Sequence, residues 1–392
     1  MDFDDSPEEA EYRAHVRARL EQHAGELLHV EPGGSIDPAT HQAEFRATQR
    51  VLAEAGLIGI TWAREHGGQG GTLVQQAIAG QEFARARIPT LINHIGIGMC
   101  GPTVIAHGSD DQKERYLARL LRADDVWCQL FSEPASGSDL AALRTTAVRD
   151  GEDWIVNGQK VWTTLAHVAD YGILLTRTDP DRPKHAGLTM FVVDMHAPGV
   201  EIRPLRQMTG GASFNEVFFD EVRIPDSHRL GDVDGGWSVA LTTLMNERAA
   251  IGGGGAGVGL THFTRLSAMA QHFGLADDPV VRQALADVYV RQQVHRWTSL
   301  RGMARIRAGQ LPGPEMSIGK LSLTTNMTRV GDLLTAVLGP RLVADSGEWG
   351  TYAWSELVLG VPGMRVAGGT DEIMRNIIGE RVLGLPKDPS PK

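Results

Sequence analysis

The stretch from about residue 124 to 232 constrains the fold most, because it strings short β-like segments together with no helical period between them. Val126-Trp-Cys-Gln-Leu-Phe-Ser132 reads as a first strand. Arg144 to Arg149, Trp154 to Val156 and Lys160 to Thr164 follow, separated by Asp150-Gly151 and Asn157-Gly158, dipeptides that favour tight hairpin turns. Tyr171 to Thr176, Leu188 to Val193, Val200 to Pro204 and Val217 to Ile224 continue the series. Such a run predicts an antiparallel barrel or sandwich rather than a doubly wound sheet.

Helical periodicity flanks it on both sides. Leu20, Leu27 and Leu28, then Phe45, Leu52 and Leu57, recur at helical spacing among Glu, Arg and Gln, and Gln75 to Ala86 repeats the pattern. Glu65-His-Gly-Gly-Gln-Gly-Gly71 carries too much glycine for either period and is read as loop. Beyond the strands, Ala284 to Ile306 and Ile318 to Leu338 carry apolar stripes with few breakers. The expected organisation is an α-helical domain over 1–123, a β domain over 124–232 and an α-helical bundle over 233–392, with an unstructured tail from about 384. A length of 392 residues accommodates it.

Charge and cysteine usage exclude several classes of function. With 38 Lys and Arg against 48 Asp and Glu, the net charge of −10 repels polyphosphate, so neither nucleic acid nor membrane insertion is expected. Met1-Asp-Phe-Asp-Asp is acidic where a secretory signal is basic, which points to the cytoplasm. Cys100 and Cys128 cannot build a disulfide framework and read as buried apolar groups; no metal is expected, since the 14 histidines include no H-x-x-x-H pair. Gly252-Gly-Gly-Gly-Ala-Gly257 spells G-x-G-x-x-G, but helical sequence precedes it where a dinucleotide fingerprint needs a strand, so close helix approach is the better reading.

Three segments carry chemistry. Phe131-Ser-Glu-Pro-Ala-Ser-Gly-Ser-Asp139 packs hydroxyls and glycine after a strand, a loop able to present N–H groups and hydroxyls to a planar polar ligand. Lys160-Val-Trp162-Thr-Thr164 adds an indole plane and two hydroxyls. Gly368-Gly-Thr-Asp-Glu-Ile-Met-Arg375 opens a helix whose first amides favour anionic or carbonyl oxygens. With Gly67-Gly-Gln-Gly70, these motifs occur in order over nearly the whole chain, and the sequence resembles the acyl-CoA dehydrogenase family. The resemblance implies that family's fold: mainly α with a central β domain, between an N-terminal helical domain and a C-terminal four-helix bundle. It also implies bound FAD, with flavin contacts at Gln129, Leu130, Phe131, Ser132, Gly137, Ser138, Trp162 and Thr164, and with Thr370 and Glu372 reaching the cofactor from the last helix. The reaction implied is α,β-dehydrogenation of an acyl-CoA thioester, with electrons leaving to an electron-transferring flavoprotein.

Many members of the family place their catalytic base immediately before the Gly-Thr pair, where this chain has Gly368. A minority place it on an earlier helix, in a Glu-Arg pair, and Leu244-Met-Asn-Glu247-Arg248 matches that arrangement. Glu247 is therefore the expected base, sharing a helix face with Leu244, and Arg248 a pocket-shaping neighbour. Ser138 and Gly368 are expected to face the substrate, Gly368 through its backbone N–H, and the missing side chain suits a bulky or α-branched acyl group. Two departures concern assembly. The family's Arg-x-x-Phe-Gly, whose arginine serves the FAD pyrophosphate of a neighbouring subunit, reads Ala270-Gln-His-Phe-Gly274, and its late Gly-Gly-x-Gly reads Val337-Leu-Gly-Pro-Arg341. A homotetramer would lose about 1–3 kcal/mol per FAD site for want of that guanidinium. The resemblance is thus to the catalytic subunit of heteromeric bacterial acyl-CoA dehydrogenases of steroid side chains, a heterotetramer in which a homologous unlike subunit supplies the arginine. The alternatives are a homomeric enzyme for short branched or aromatic acyl-CoA, or a non-catalytic partner subunit.

Overall fold

The computed structural model describes residues 5–30, 36–252, 261–308, 313–344 and 351–387. The N-terminal helices are α1 (Pro7–Gln22), α2 (Gln42–Glu54), α3 (Leu73–Arg85), α4 (Gly101–His107) and α5 (Asp110–Leu121). Three of them start at capping boxes. Ser6, Thr72 and Ser109 each accept a bond from the backbone N–H three residues on, while Glu9, Gln75 and Gln112 reach back to the cap. Val16, Leu20, Leu52 and Leu117 turn inward from these helices. A π-helical turn, Gly96–Cys100, leads into α4. The glycine-rich loop follows a short turn at Arg64–His66, and there Gly68 lies flat on Trp62. A β-carbon at Gly68 would overlap the Trp62 carbonyl group. Gly68→Ala should therefore cost about 1–3 kcal/mol, read as a lowered urea midpoint at unchanged slope.

The sheet comprises β1 (Trp127–Leu130), β2 (Thr146–Asp150), β3 (Asp153–Thr164), β4 (Tyr171–Arg177), β5 (Leu188–Asp194), β6 (Val200–Leu205), β7 (Phe214–Pro225) and β8 (Arg229–Leu230). Its order is β6-β7-β3-β2-β4-β5-β8, with β1 beside β4. Most pairings are antiparallel, but the sheet is mixed: β1 runs parallel to β4, and β2 meets β4 in parallel at Thr146 and Arg177. The all-antiparallel expectation fails there because the chain leaves β1 at Leu130 and returns beside it only after β2 and β3, a crossover rather than a hairpin. Asn157-Gly158 is also no hairpin turn. It is a bulge inside the long strand β3, where the Asn157 side chain donates to Glu221 Oε1 (2.7 Å) and accepts from Glu221 N (2.9 Å) across β7. Asp150 and Asp153 do close a tight hairpin between β2 and β3.

One face of the sheet, with Leu130, Val156, Leu174, Phe191 and Val217, closes on itself as an apolar interior. The other, with Ile173, Leu175, Met190 and Val192, packs on the N-terminal helices and on Val239 and Ala240 of α6 (Gly236–Gly252). The remaining helices are α7 (Phe263–His272), α8 (Pro279–Arg307), α9 (Met316–Leu338), α10 (Thr351–Met364) and α11 (Asp371–Ile377). Helix α9 is the hub, in contact with α6, α8, α10 and α11 around Leu266, Val288, Leu334 and Trp354. Both cysteines are buried thiols. Residues 253–257 of the glycine run, and the tail beyond 387, lie outside the described residues. Among the described residues no helix is long and apolar enough to cross a membrane.

Candidate active site

Helix α6 carries Glu247 toward the sheet. Upstream on the same helix, Thr243 is fully buried and its hydroxyl meets that of Thr103 on α4 at 2.9 Å, which fixes the rotation of the helix. Leu244 packs against the core shared with the sheet. One turn on, Glu247 is half-buried, and the Gln129 side-chain amide of β1 donates to its Oε2 at 3.4 Å. The structure thus brings the expected base and the first expected flavin contact together across 118 residues of sequence. The side chain of Arg248 falls outside the described residues.

The segment after β1 is held in a second cluster. Leu130 and Phe131 are buried and Ser132 is half-buried, with its carbonyl accepting from Val161 N at 2.9 Å. Glu133, 8% exposed, accepts from Arg144 N (2.6 Å) and Thr145 N (2.9 Å). Lys160, fully buried in β3, donates to Glu133 Oε1 (2.9 Å) and to the Phe131 carbonyl (3.0 Å). Burial pushes the Lys160 ammonium down to about 8 against the pull of Glu133. Glu133 is also penalised by burial, but Lys160 and the two backbone donors outweigh this and hold its carboxyl below the usual range. Pairing across β3 is irregular between Lys160 and Thr163, and Trp162 there adopts a left-handed φ of 60°. The bulge turns the Trp162 indole outward, 61% exposed and edge-on to Phe214, with half-buried Thr164 two residues on. Gly137 and Ser138 are exposed at the loop tip. The Lys160–Glu133 pair is a feature that the sequence reading missed. Its signal was a lysine sharing strand parity with the inward Trp154 and Val156.

The third expected segment stands on the C-terminal bundle. Gly368 and Gly369 take consecutive left-handed φ angles of 66° and 92° and turn the chain into α11. Thr370 caps that helix, its hydroxyl accepting from Ile373 N at 3.2 Å. Glu372 is exposed and pairs with Arg375 at 3.3 Å.

Among the buried polar atoms that find no protein partner, two are hydroxyls of the segments around β1 and β3. Ser136 Oγ and Thr163 Oγ1 are buried without a hydrogen-bond partner, whereas buried polar atoms are nearly always paired. An outward indole plane beside unused hydroxyls fits the polar-edged, planar isoalloxazine of FAD. Among the described residues no group of His, Cys, Asp and Glu could hold a metal ion.

Comparison with known proteins identifies the family. Residues 6–124, 128–222 and 234–383 match the N-terminal, middle and C-terminal domain models of acyl-CoA dehydrogenase. Acyl-CoA dehydrogenase IpdE1 of Mycobacterium tuberculosis is 39% identical, over 96% of this chain and 98% of that protein. Among solved structures, the Tcur3481-Tcur3483 steroid ACAD superposes with a TM-score of 0.82 at 29% identity, covering 99% of this chain and 100% of that one. The ChsE4-ChsE5 complex of M. tuberculosis gives 0.81 at 29%, with coverage of 99% and 100%. Three domain models in sequence, the helix–sheet–helix architecture and a cradle that fits flavin lead to one assignment: the chain belongs to the acyl-CoA dehydrogenase family, FAD-dependent oxidoreductases acting on acyl-CoA.

Proposed function

We propose that this chain is the catalytic subunit of a heteromeric dehydrogenase that introduces an α,β double bond into a bulky acyl-CoA thioester of the steroid side-chain type, with Glu247 as the base. The observation that carries the reading is the half-buried Glu247 carboxylate against Gln129 of β1, combined with a glycine at position 368. The carboxylate removes the α-proton, as a general base placed at the substrate does. The β-hydrogen leaves with its electron pair, and bound FAD supplies the acceptor for that hydride. The backbone N–H groups of the Gly368–Gly369 turn polarise the thioester carbonyl as negative charge develops on it. Trp162, Ser132, Ser138 and Thr164 would hold the flavin, while Gly368 leaves space where a side chain would narrow the pocket. Thr370 and Glu372 are assigned to the cofactor through the family motif alone.

The steroid assignment draws on the likeness to the Tcur3481-Tcur3483 steroid ACAD, and the ChsE4-ChsE5 complex offers a precedent for two unlike chains together. The heteromer reading draws on α7, where Ala270 is 0% exposed in the bundle core, so the motif's arginine has no counterpart there. A homologous partner chain would supply the guanidinium for the FAD pyrophosphate, and an electron-transferring flavoprotein would take the electrons. One observation favours a homomeric enzyme for short branched or aromatic acyl-CoA instead: the Arg341 guanidinium stacks 4.5 Å from the Phe273 ring, which puts a cation near the position that Ala270 leaves neutral. Co-expression with homologous chains, followed by measurement of the FAD-to-chain ratio and of flavin bleaching by steroid, branched and straight acyl-CoA, separates the two. One FAD per two unlike chains is expected, with fastest bleaching by the steroid thioester; a fully flavinylated, active homomer overturns the heteromer.

A further inference from the structure

The loop that carries Gly368 is closed by a buried charge cluster that the reaction chemistry does not require. Asp371, 2% exposed at the first turn of α11, accepts from Arg365 Nε at 2.8 Å, from the Thr324 hydroxyl at 2.7 Å and from Lys320 Nζ at 3.4 Å. Its own backbone N–H returns to the Arg365 carbonyl at 3.1 Å, and Lys320 Nζ reaches the same carbonyl at 3.2 Å. Residues 365 and 371 are therefore tied by main chain and side chain together, and both are tied to α9 through Lys320 and Thr324. Between the ties stand Val366, 63% exposed, and the two left-handed glycines. A Gly-Gly pair has the least intrinsic preference for one conformation, so the direction of its N–H groups must be imposed from the ends of the loop.

We infer that Asp371 is a positioning residue for the dehydrogenation: with Lys320, Arg365 and Thr324 it clamps the Arg365–Asp371 loop onto α9 and so aims the Gly368–Gly369 amides at the substrate thioester. This rests on the function proposed above. The clamp is costly to build, since Lys320 is itself only 2% exposed and two buried charges must be desolvated. A helix cap alone would not need it, because Thr370 already caps α11. Burial penalises the Asp371 carboxylate, yet its Arg365, Thr324 and Lys320 donors hold it below the usual carboxylate range, so it is ionised at neutral pH.

The test uses the FAD-loaded protein, in complex with its partner chain if it has one. Asp371→Asn keeps the shape and an acceptor but removes the charge. Its kcat should fall about 10–100-fold with KM changed less than about threefold, as expected for a misaimed group rather than a lost binding contact. Two further readouts do not depend on turnover. The red shift that a 2-enoyl-CoA product analogue undergoes on carbonyl polarisation should disappear, and amide exchange across residues 366–370 should accelerate in the absence of ligand. Thr324→Val, which removes one donor and leaves the ion pairs, should give smaller changes in the same direction and guards against a folding failure of the first variant. A folded Asp371→Asn enzyme with the red shift, kcat and exchange of the parent overturns the inference, as does loss of activity that tracks only the unfolded fraction. If the unaltered protein is never bleached by any acyl-CoA, the proposed function fails instead, and the exchange measurement still judges the clamp.

Discussion

Glu247→Gln is expected to lower the rate of flavin bleaching by an acyl-CoA substrate about 10²–10⁴-fold while FAD stays bound, because a general base typically contributes that much. Glutamine keeps the shape of the side chain and a carbonyl oxygen for the Gln129 amide, so the 3.4 Å contact across to β1 has a neutral equivalent and α6 keeps its seat. Fully buried Thr243 and half-buried Leu244 hold the helix independently. Stability should therefore change by less than about 1 kcal/mol, typical of near-isosteric substitutions that create no cavity. Proton exchange at the substrate α-carbon in heavy water isolates the step: the parent enzyme should wash deuterium into that position and the variant should not. Glu247→Asp, one methylene shorter, should fall in between, since the carboxylate survives but retreats from the reacting carbon. Bleaching and α-exchange within threefold of the parent would remove Glu247 from the mechanism and send the search to another carboxylate. The bystander-subunit reading would then gain.

How much of this was legible beforehand depends on the range of the interaction. Capping boxes at Ser6, Thr72 and Ser109 act over three residues and appear directly in the chain. Strand β5 reads correctly because a run that is apolar but for Thr189, set between Gly187 and Asp194, has few alternatives. Glu247 was singled out by the Glu247-Arg248 pair and by the missing carboxylate at Gly368, both read through the family resemblance. Its contact with Gln129 was not legible, because nothing local specifies a pairing 118 residues apart. The same limit hid the two buried ion pairs, which join positions 27 residues apart (Glu133 and Lys160) and 51 apart (Lys320 and Asp371). Asn157-Gly158 misled for the opposite reason. The dipeptide is a strong local turn signal, but β7 offered Glu221 across the sheet, and pairing on both sides of the dipeptide kept β3 running through it as a bulge. Where local preference and long-range pairing compete, the pairing wins when it satisfies more backbone groups.

The buried Lys160–Glu133 pair yields the largest stability effect. In Lys160→Met the fully buried ammonium is replaced by an apolar chain of similar length, which leaves Glu133, 8% exposed, with hydrogen bonds from the Arg144 and Thr145 amides and the field of Arg177 but without its buried ion-pair partner. Breaking one side of such a pair costs about 3–5 kcal/mol. Lys160→Met/Glu133→Gln should recover part of that loss, because the charge left behind is gone while one oxygen still accepts a backbone bond; non-additivity between the two positions is the signature of a direct pair. The pH dependence has a definite sign. Burial lowers the Lys160 pKa to about 8 in the fold, whereas the unfolded chain keeps its proton to about 10.4. Between these values the unfolded state binds more protons, so the Lys160 contribution makes the parent protein more stable as pH rises from about 8 to about 10.4. Below about 8 both states carry the proton and the contribution is flat. Lys160→Met lacks this window, so the stability gap between parent and variant should widen across it, as read by urea unfolding at stepped pH. Since Lys160 also grips the Phe131 carbonyl at 3.0 Å, the variant should bind FAD more weakly as well, by about tenfold for one charge-assisted bond. Equal urea midpoints for parent and variant at pH 7, or parallel pH profiles between 8 and 10, would show that the pair neither holds the loop nor titrates as described.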